Sequence, residues 1–128
     1  MLVIEDKHEL IALNKALFEA RFHENPECAE VQGSPLLAAI HSRLIDALIA
    51  TEREQRKQSA WNEWRQWRNR VIEKRQVEQI IKRVHWIKLS KQQKIALVQS
   101  LVAPFVAEQE EINSLVLLGD QLHAHQGQ

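Results

Sequence analysis

Ser34-Pro35-Leu36-Leu37-Ala38-Ala39-Ile40-His41-Ser42-Arg43-Leu44-Ile45-Asp46-Ala47-Leu48 reads as the opening of a helix. A serine oxygen accepts from the first free backbone N–H groups, and a proline in the first helical position lacks a donor that would have no partner there. Leu36, Leu37, Ile40, Leu44, Ile45 and Leu48 recur at helical spacing and form the expected buried side. His41 falls within that side and is expected as a hydrogen-bonded core or boundary residue. From Leu36 to Ala103 the chain has neither Gly nor Pro. A β-rich fold of this length needs many tight turns, which draw on those residues. The expected fold is therefore all-α, an irregular bundle of roughly four to five helices in a single domain over residues 1–128.

Working outward, Val3, Ile4, Leu10, Ile11, Leu13, Leu17, Phe18 and Phe22 make one apolar stripe, which predicts a first helix from about Leu2 to Phe22. The stretch from His23 to Ser34 reads as a loop, with Asn25-Pro26 able to start a helical turn in it. After Ala50 the sequence turns polar, and Ser59 is a candidate cap for a third helix. Trp61, Trp64, Trp67, Val71 and Ile72 then fall on one side of a helical wheel, while Val77, Ile80, Ile81, Val84 and Ile87 fall nearly opposite. One straight helix cannot bury both stripes against one neighbour. The absence of Gly and Pro favours a single long helix packed on different partners at its two ends, over a break near Glu73 to Gln76. Ser90-Lys91-Gln92-Gln93 is a capping-box pattern. Ile95, Val98, Leu101, Val102, Phe105, Ile112 and Val116 hold one phase across Pro104, so the C-terminal helix is expected to be long and kinked at Pro104. Gly119 suits a helix end, and residues 119–128 are expected as a frayed tail.

Charge is distributed unevenly although the whole chain is neutral. Residues 1–52 carry four Lys/Arg against nine Asp/Glu, residues 53–94 carry thirteen against four, and residues 95–128 carry none against four. The basic centre is expected to be balanced by the acidic segments folding around it. The single cysteine, Cys28, excludes an internal disulfide, and no apolar run reaches the roughly 20 residues of a membrane span. The opening residues lack the basic and apolar regions of a signal peptide. These features give a cytoplasmic protein with no membrane partner as the expectation.

The segment that can carry binding chemistry is Trp61-Asn62-Glu63-Trp64-Arg65-Gln66-Trp67-Arg68-Asn69-Arg70, continued by Lys74-Arg75 and Lys82-Arg83. Trp61, Trp64, Arg65, Arg68, Arg70, Lys74, Arg75, Lys82 and Arg83 are the candidate contacts for a partner. Indoles and guanidiniums are concentrated at the energetic centres of protein interfaces. The same groups stack on unpaired bases and neutralise phosphates. The favoured reading of the indoles themselves is core, with Arg stems laid over them and the guanidiniums reaching water. The leading expectation is a non-catalytic adaptor or regulator that contacts another protein or a second copy of itself, with nucleic acid as the alternative on the same face.

A small metal-dependent enzyme comes third. Glu5-x-x-His8 and Asp120-x-x-His123 have the spacing of di-iron bundle ligands, but Glu5 lies opposite the apolar stripe. His23, Cys28 and His41 lack the close pairing of zinc sites. No phosphate-cradling glycine loop or Gly-x-Ser-x-Gly elbow occurs, and Glu24, Glu27 and Glu30 disfavour a thiolate at Cys28. No catalytic residue, metal ligand or cofactor is therefore assigned.

Overall fold

The computed structural model describes residues 1–22, 29–55 and 60–124. Among these the chain is helical, in the order α1 (Lys7–Arg21), α2 (Ala29–Gln32), α3 (Pro35–Gln55), α4 (Ala60–Trp64), α5 (Val71–Arg83), α6 (Lys91–Val102) and α7 (Gln109–Ala124), with single 3₁₀ turns at Trp67–Asn69 and Trp86–Lys88. No helix among the described residues is long and apolar enough to cross a membrane.

Helix starts follow local chemistry. The Asp6 carboxylate accepts from Glu9 N–H at 3.1 Å, so α1 begins at Lys7, five residues later than its apolar stripe suggests. Ser34 Oγ accepts from Leu37 N–H at 3.2 Å to open α3. Ser90 and Gln93 exchange both bonds of a capping box at the start of α6. The start of α4 is capped from a distance: the Glu52 carboxylate on α3 accepts from Ala60 and Trp61 N–H at 2.7 and 3.3 Å. Ser59, the cap expected from sequence, and the Asn25-Pro26 pair lie outside the described residues.

Among the described residues two apolar clusters form. The smaller joins Leu10 of α1 to Leu44, Ile45, Leu48 and Ile49 of α3. The larger gathers Phe22, Trp67, Val77, Ile80, Ile81, Trp86, Val98, Leu101, Val102, Phe105, Ile112, Leu115 and Val116. Trp64 packs against both.

The chain departs from the expected elements where one phase was asked to continue too far. The span from Trp61 to Ile87 is not one helix, and its break is not at Glu73 to Gln76. Helix α4 ends at Trp64, and residues 65–67 pair in parallel with Val106. Val106 N–H donates to Arg65 O at 2.7 Å and Trp67 N–H to Val106 O at 3.0 Å, replacing the helical bonds lost there. Beyond the break, Trp67 joins Val77, Ile80 and Ile81 in the same core.

The C-terminal helix is likewise not one kinked rod. Helix α6 stops at Val102, Ala103 is extended as a residue before proline prefers, and α7 starts at Gln109 after six intervening residues. The shared phase of the two stripes arises because both helices face one core. Residues 119–124 are not frayed: Gly119 lies inside α7, buried against Trp86, and His123 Nε2 donates to Ile81 O at 2.8 Å. Residues 125–128 lie outside the described part.

Candidate interaction surface

The tryptophans mostly build core. Trp67 is 1% exposed. The half-buried Trp64 ring sits 4.8 Å from Phe105, 5.3 Å from Trp61 and 6.0 Å from Phe18. Arg70 lies over both Trp64 and Phe105, at 5.2 and 4.9 Å from the ring centres, and its guanidinium is held by Glu73. Arg65 is mostly covered. It donates to Asp46 at 2.6 Å and to Pro104 O at 3.3 Å. Lys74 reaches the Arg68 carbonyl at 3.5 Å. These groups hold segments together.

The break at residues 65–70 also divides the predicted face. Trp61, Trp64, Trp67, Val71 and Ile72 do not share one helical side, because the first two belong to α4, Trp67 to the 3₁₀ turn and the last two to α5. What remains on the surface is the outer ridge of α5. Its inner side is Glu73, Val77, Ile80 and Ile81. Its outer side is Val71, Ile72, Arg75, Gln79, Lys82 and Arg83, all exposed, with exposed Arg68 just before it. Val71 and Ile72 are 62% and 64% exposed, so two β-branched apolar side chains stand in water between arginines. Arg70, preceding the helix, places no side-chain cap on its first N–H groups. The sequence reading missed this apolar element by grouping Val71 and Ile72 with the buried indoles.

Comparison with protein-family models, curated proteins and solved structures finds no match to this chain. Among the described residues, acidic groups of the outer thirds meet the basic centre where Asp46 pairs with Arg65 and where Asp120 pairs with Lys94 at 2.7 Å. The Lys94 ammonium, and then the Trp86 indole N–H at 2.9 Å, hold the Asp120 carboxyl below the usual carboxylate range. Glu111 is spent differently, on the Glu108 N–H at the start of α7. The balancing expected from sequence therefore covers Arg65 and Lys94, while Arg68, Arg75 and Lys82 stand exposed along α5.

Polar chemistry in the interior lies elsewhere. Asn14, Arg21 and His41 are buried together between α1 and α3. Arg21 donates to His41 Nδ1 at 3.0 Å and to the carbonyls of Ser100 and Ala103 at 2.5 and 2.6 Å. Because Arg21 has no acceptor, Nδ1 must be the unprotonated nitrogen, and His41 Nε2–H donates to Asn14 Oδ1 at 2.7 Å. Burial, and then the Arg21 charge, push His41 down to about 3, while burial lowers Arg21 to about 10. No sequence signal pointed to Arg21, whose partners are carbonyls exposed by the end of α6. Among the described residues no cluster of three or more His, Cys, Asp or Glu is placed to hold a metal ion. Glu5 and His8 are exposed, whereas His123 is engaged with Ile81 O.

Proposed function

We propose that this chain is a non-catalytic helical interaction protein whose contact face is the outer ridge of α5, and that it receives an acidic, partly apolar segment of a protein partner. The observation carrying this reading is the exposed Val71–Ile72 pair flanked by Arg68 and Arg75. Aliphatic groups are stabilised by removal from water, and flanking guanidiniums select carboxylates and fix register. The candidate set narrows accordingly. Arg68, Arg75, Lys82 and Arg83 are retained as contacts, while Trp61, Trp64, Arg65, Arg70 and Lys74 act as the scaffold beneath them.

Nucleic acid is the second reading, supported by the same exposed cations. It draws less support than the sequence offered, because Trp64 and Trp67 are packed into the core and not presented for base stacking. Capture of partners by the purified protein, with and without nuclease, separates the two. Binding of an identified protein should survive nuclease, tolerate moderate salt, and weaken in both Val71→Ser/Ile72→Ser and Arg68→Glu/Arg75→Glu variants. Binding that disappears with nuclease, falls steeply with salt and ignores the Val71/Ile72 change would instead establish the nucleic-acid reading.

A further inference from the structure

The partner chemistry assigned to the α5 ridge occurs on this chain. Residues 1–6 precede α1 without regular secondary structure and present Leu2 and Val3, 86% and 62% exposed, followed by exposed Glu5, Asp6 and Glu9. The ridge presents two exposed aliphatic residues followed by cations. The two surfaces are similar in composition and opposite in charge.

Their spacings are compatible. An extended chain rises about 3.3 Å per residue, so Glu5 lies roughly 7–10 Å beyond the Leu2–Val3 pair. A helix rises about 1.5 Å per residue, so Arg75 stands roughly 5 Å and Lys82 roughly 15 Å along the axis from Ile72. An extended arm laid along the ridge with Leu2 and Val3 on Val71 and Ile72 would bring its carboxylates between these cations.

Within one chain the two surfaces belong to different parts of the fold. Ile4 anchors the arm on the smaller cluster formed by α1 and α3, whereas α5 packs on α7 in the larger one. We infer that the α5 ridge of one copy receives the extended Leu2–Asp6 arm of a second copy, together with Glu9 in the adjoining first turn of α1. This rests on the ridge being the contact face, as proposed above. Arm and ridge are different surfaces, so two copies close by exchanging arms, or further copies add head to tail.

The test is sedimentation velocity of the full chain over a range of concentration and salt. The wild-type protein should self-associate, less at high salt because the paired charges are exposed. Arg68→Glu/Arg75→Glu should weaken association roughly tenfold or more, since like charges then face each other. Glu5→Lys/Glu9→Lys should do the same, with Asp6 kept because it caps α1. Combining both sets should restore association. All four positions are exposed, and unchanged helical circular dichroism would show that the variants fold. A wild-type protein that stays monomeric at every concentration overturns the inference. So does association lost with the ridge change but not with the arm change, which would leave the ridge as a contact face for a different partner. Association indifferent to the ridge change removes both readings.

Discussion

At the scale of single residues, His41 links protonation to folding. Its ring accepts from Arg21 and donates to Asn14, an arrangement open only to the neutral ring. The folded-state value is about 3, against 6.5 for an unperturbed histidine. Between those values the unfolded chain binds a proton that the folded chain refuses. Stability is therefore undiminished above pH 6.5 and falls as pH drops toward 3, by up to about 1.4 kcal/mol per pH unit from this group. Chemical denaturation from pH 7 to 4.5 should show that loss, and His41→Gln should flatten it while lowering stability at pH 7 by roughly 1–3 kcal/mol. An equal slope in both proteins would show that other groups cause the pH dependence. Gly119 offers a test decided by sign. Helix propensity alone predicts that Gly119→Ala stabilises α7 by about 1 kcal/mol. A methyl group there would overlap the Trp86 indole, which is held by Asp120 and backed by His123. Overpacking of about 1–3 kcal/mol should win, giving a lower melting temperature.

At the scale of elements, the breaks in the chain decide which groups become surface. Trp64→Ala should cost about 3 kcal/mol in denaturant titrations, because it removes an indole packed on Phe18, Phe105 and Trp61 and uncovers the Arg70 stem. Arg75→Ala should stay within about 0.5 kcal/mol, as expected of a solvent-facing side chain. Similar costs for the two would erase the distinction between scaffold and ridge. Helix content, the Ser34 cap and the Ser90–Gln93 box were legible because they depend on neighbours in sequence. The inward turn of α3 was read only in part: Leu44, Ile45 and Leu48 are buried, but Leu36 is 77% exposed and Ile40 also faces solvent. Periodicity states which residues share a side and is silent on how far along the helix a neighbour extends. The pairing of residues 65–67 with Val106 was not legible, since it depends on two backbone segments distant in sequence exchanging hydrogen bonds. Ridge cations such as Arg75 and Lys82 could be singled out as charged, but their exposure depends on that same break.

At the scale of the whole molecule, the links between the two apolar clusters decide whether they unfold together. The smaller cluster has few buried aliphatic residues and is ill suited to stand alone. Among the described residues Trp64 packs on both, and three further links tie the smaller cluster to the larger. Phe18 and Phe22 carry the end of α1 onto Phe105. Asp46 pairs with Arg65 near the surface, where such a bridge contributes at most about 1 kcal/mol. Arg21 is the third, a buried guanidinium on the last carbonyls of α6, where a helix end favours positive charge. Replacing Arg21 with Met keeps much of the volume but strands the Ser100 and Ala103 carbonyls and His41 Nδ1. The expected cost is roughly 3 kcal/mol or more. The larger consequence should be a change in cooperativity. In the wild-type protein, the most protected amides of α1 and α3 should exchange at the same free energy as those of α5–α7, in one global unfolding event. In Arg21→Met, native-state hydrogen exchange should show α1 and α3 opening first, at a lower free energy than α5–α7. Protection lost evenly across all the helices would instead assign the coupling to Phe18 and Phe22, with Arg21 contributing only to overall stability.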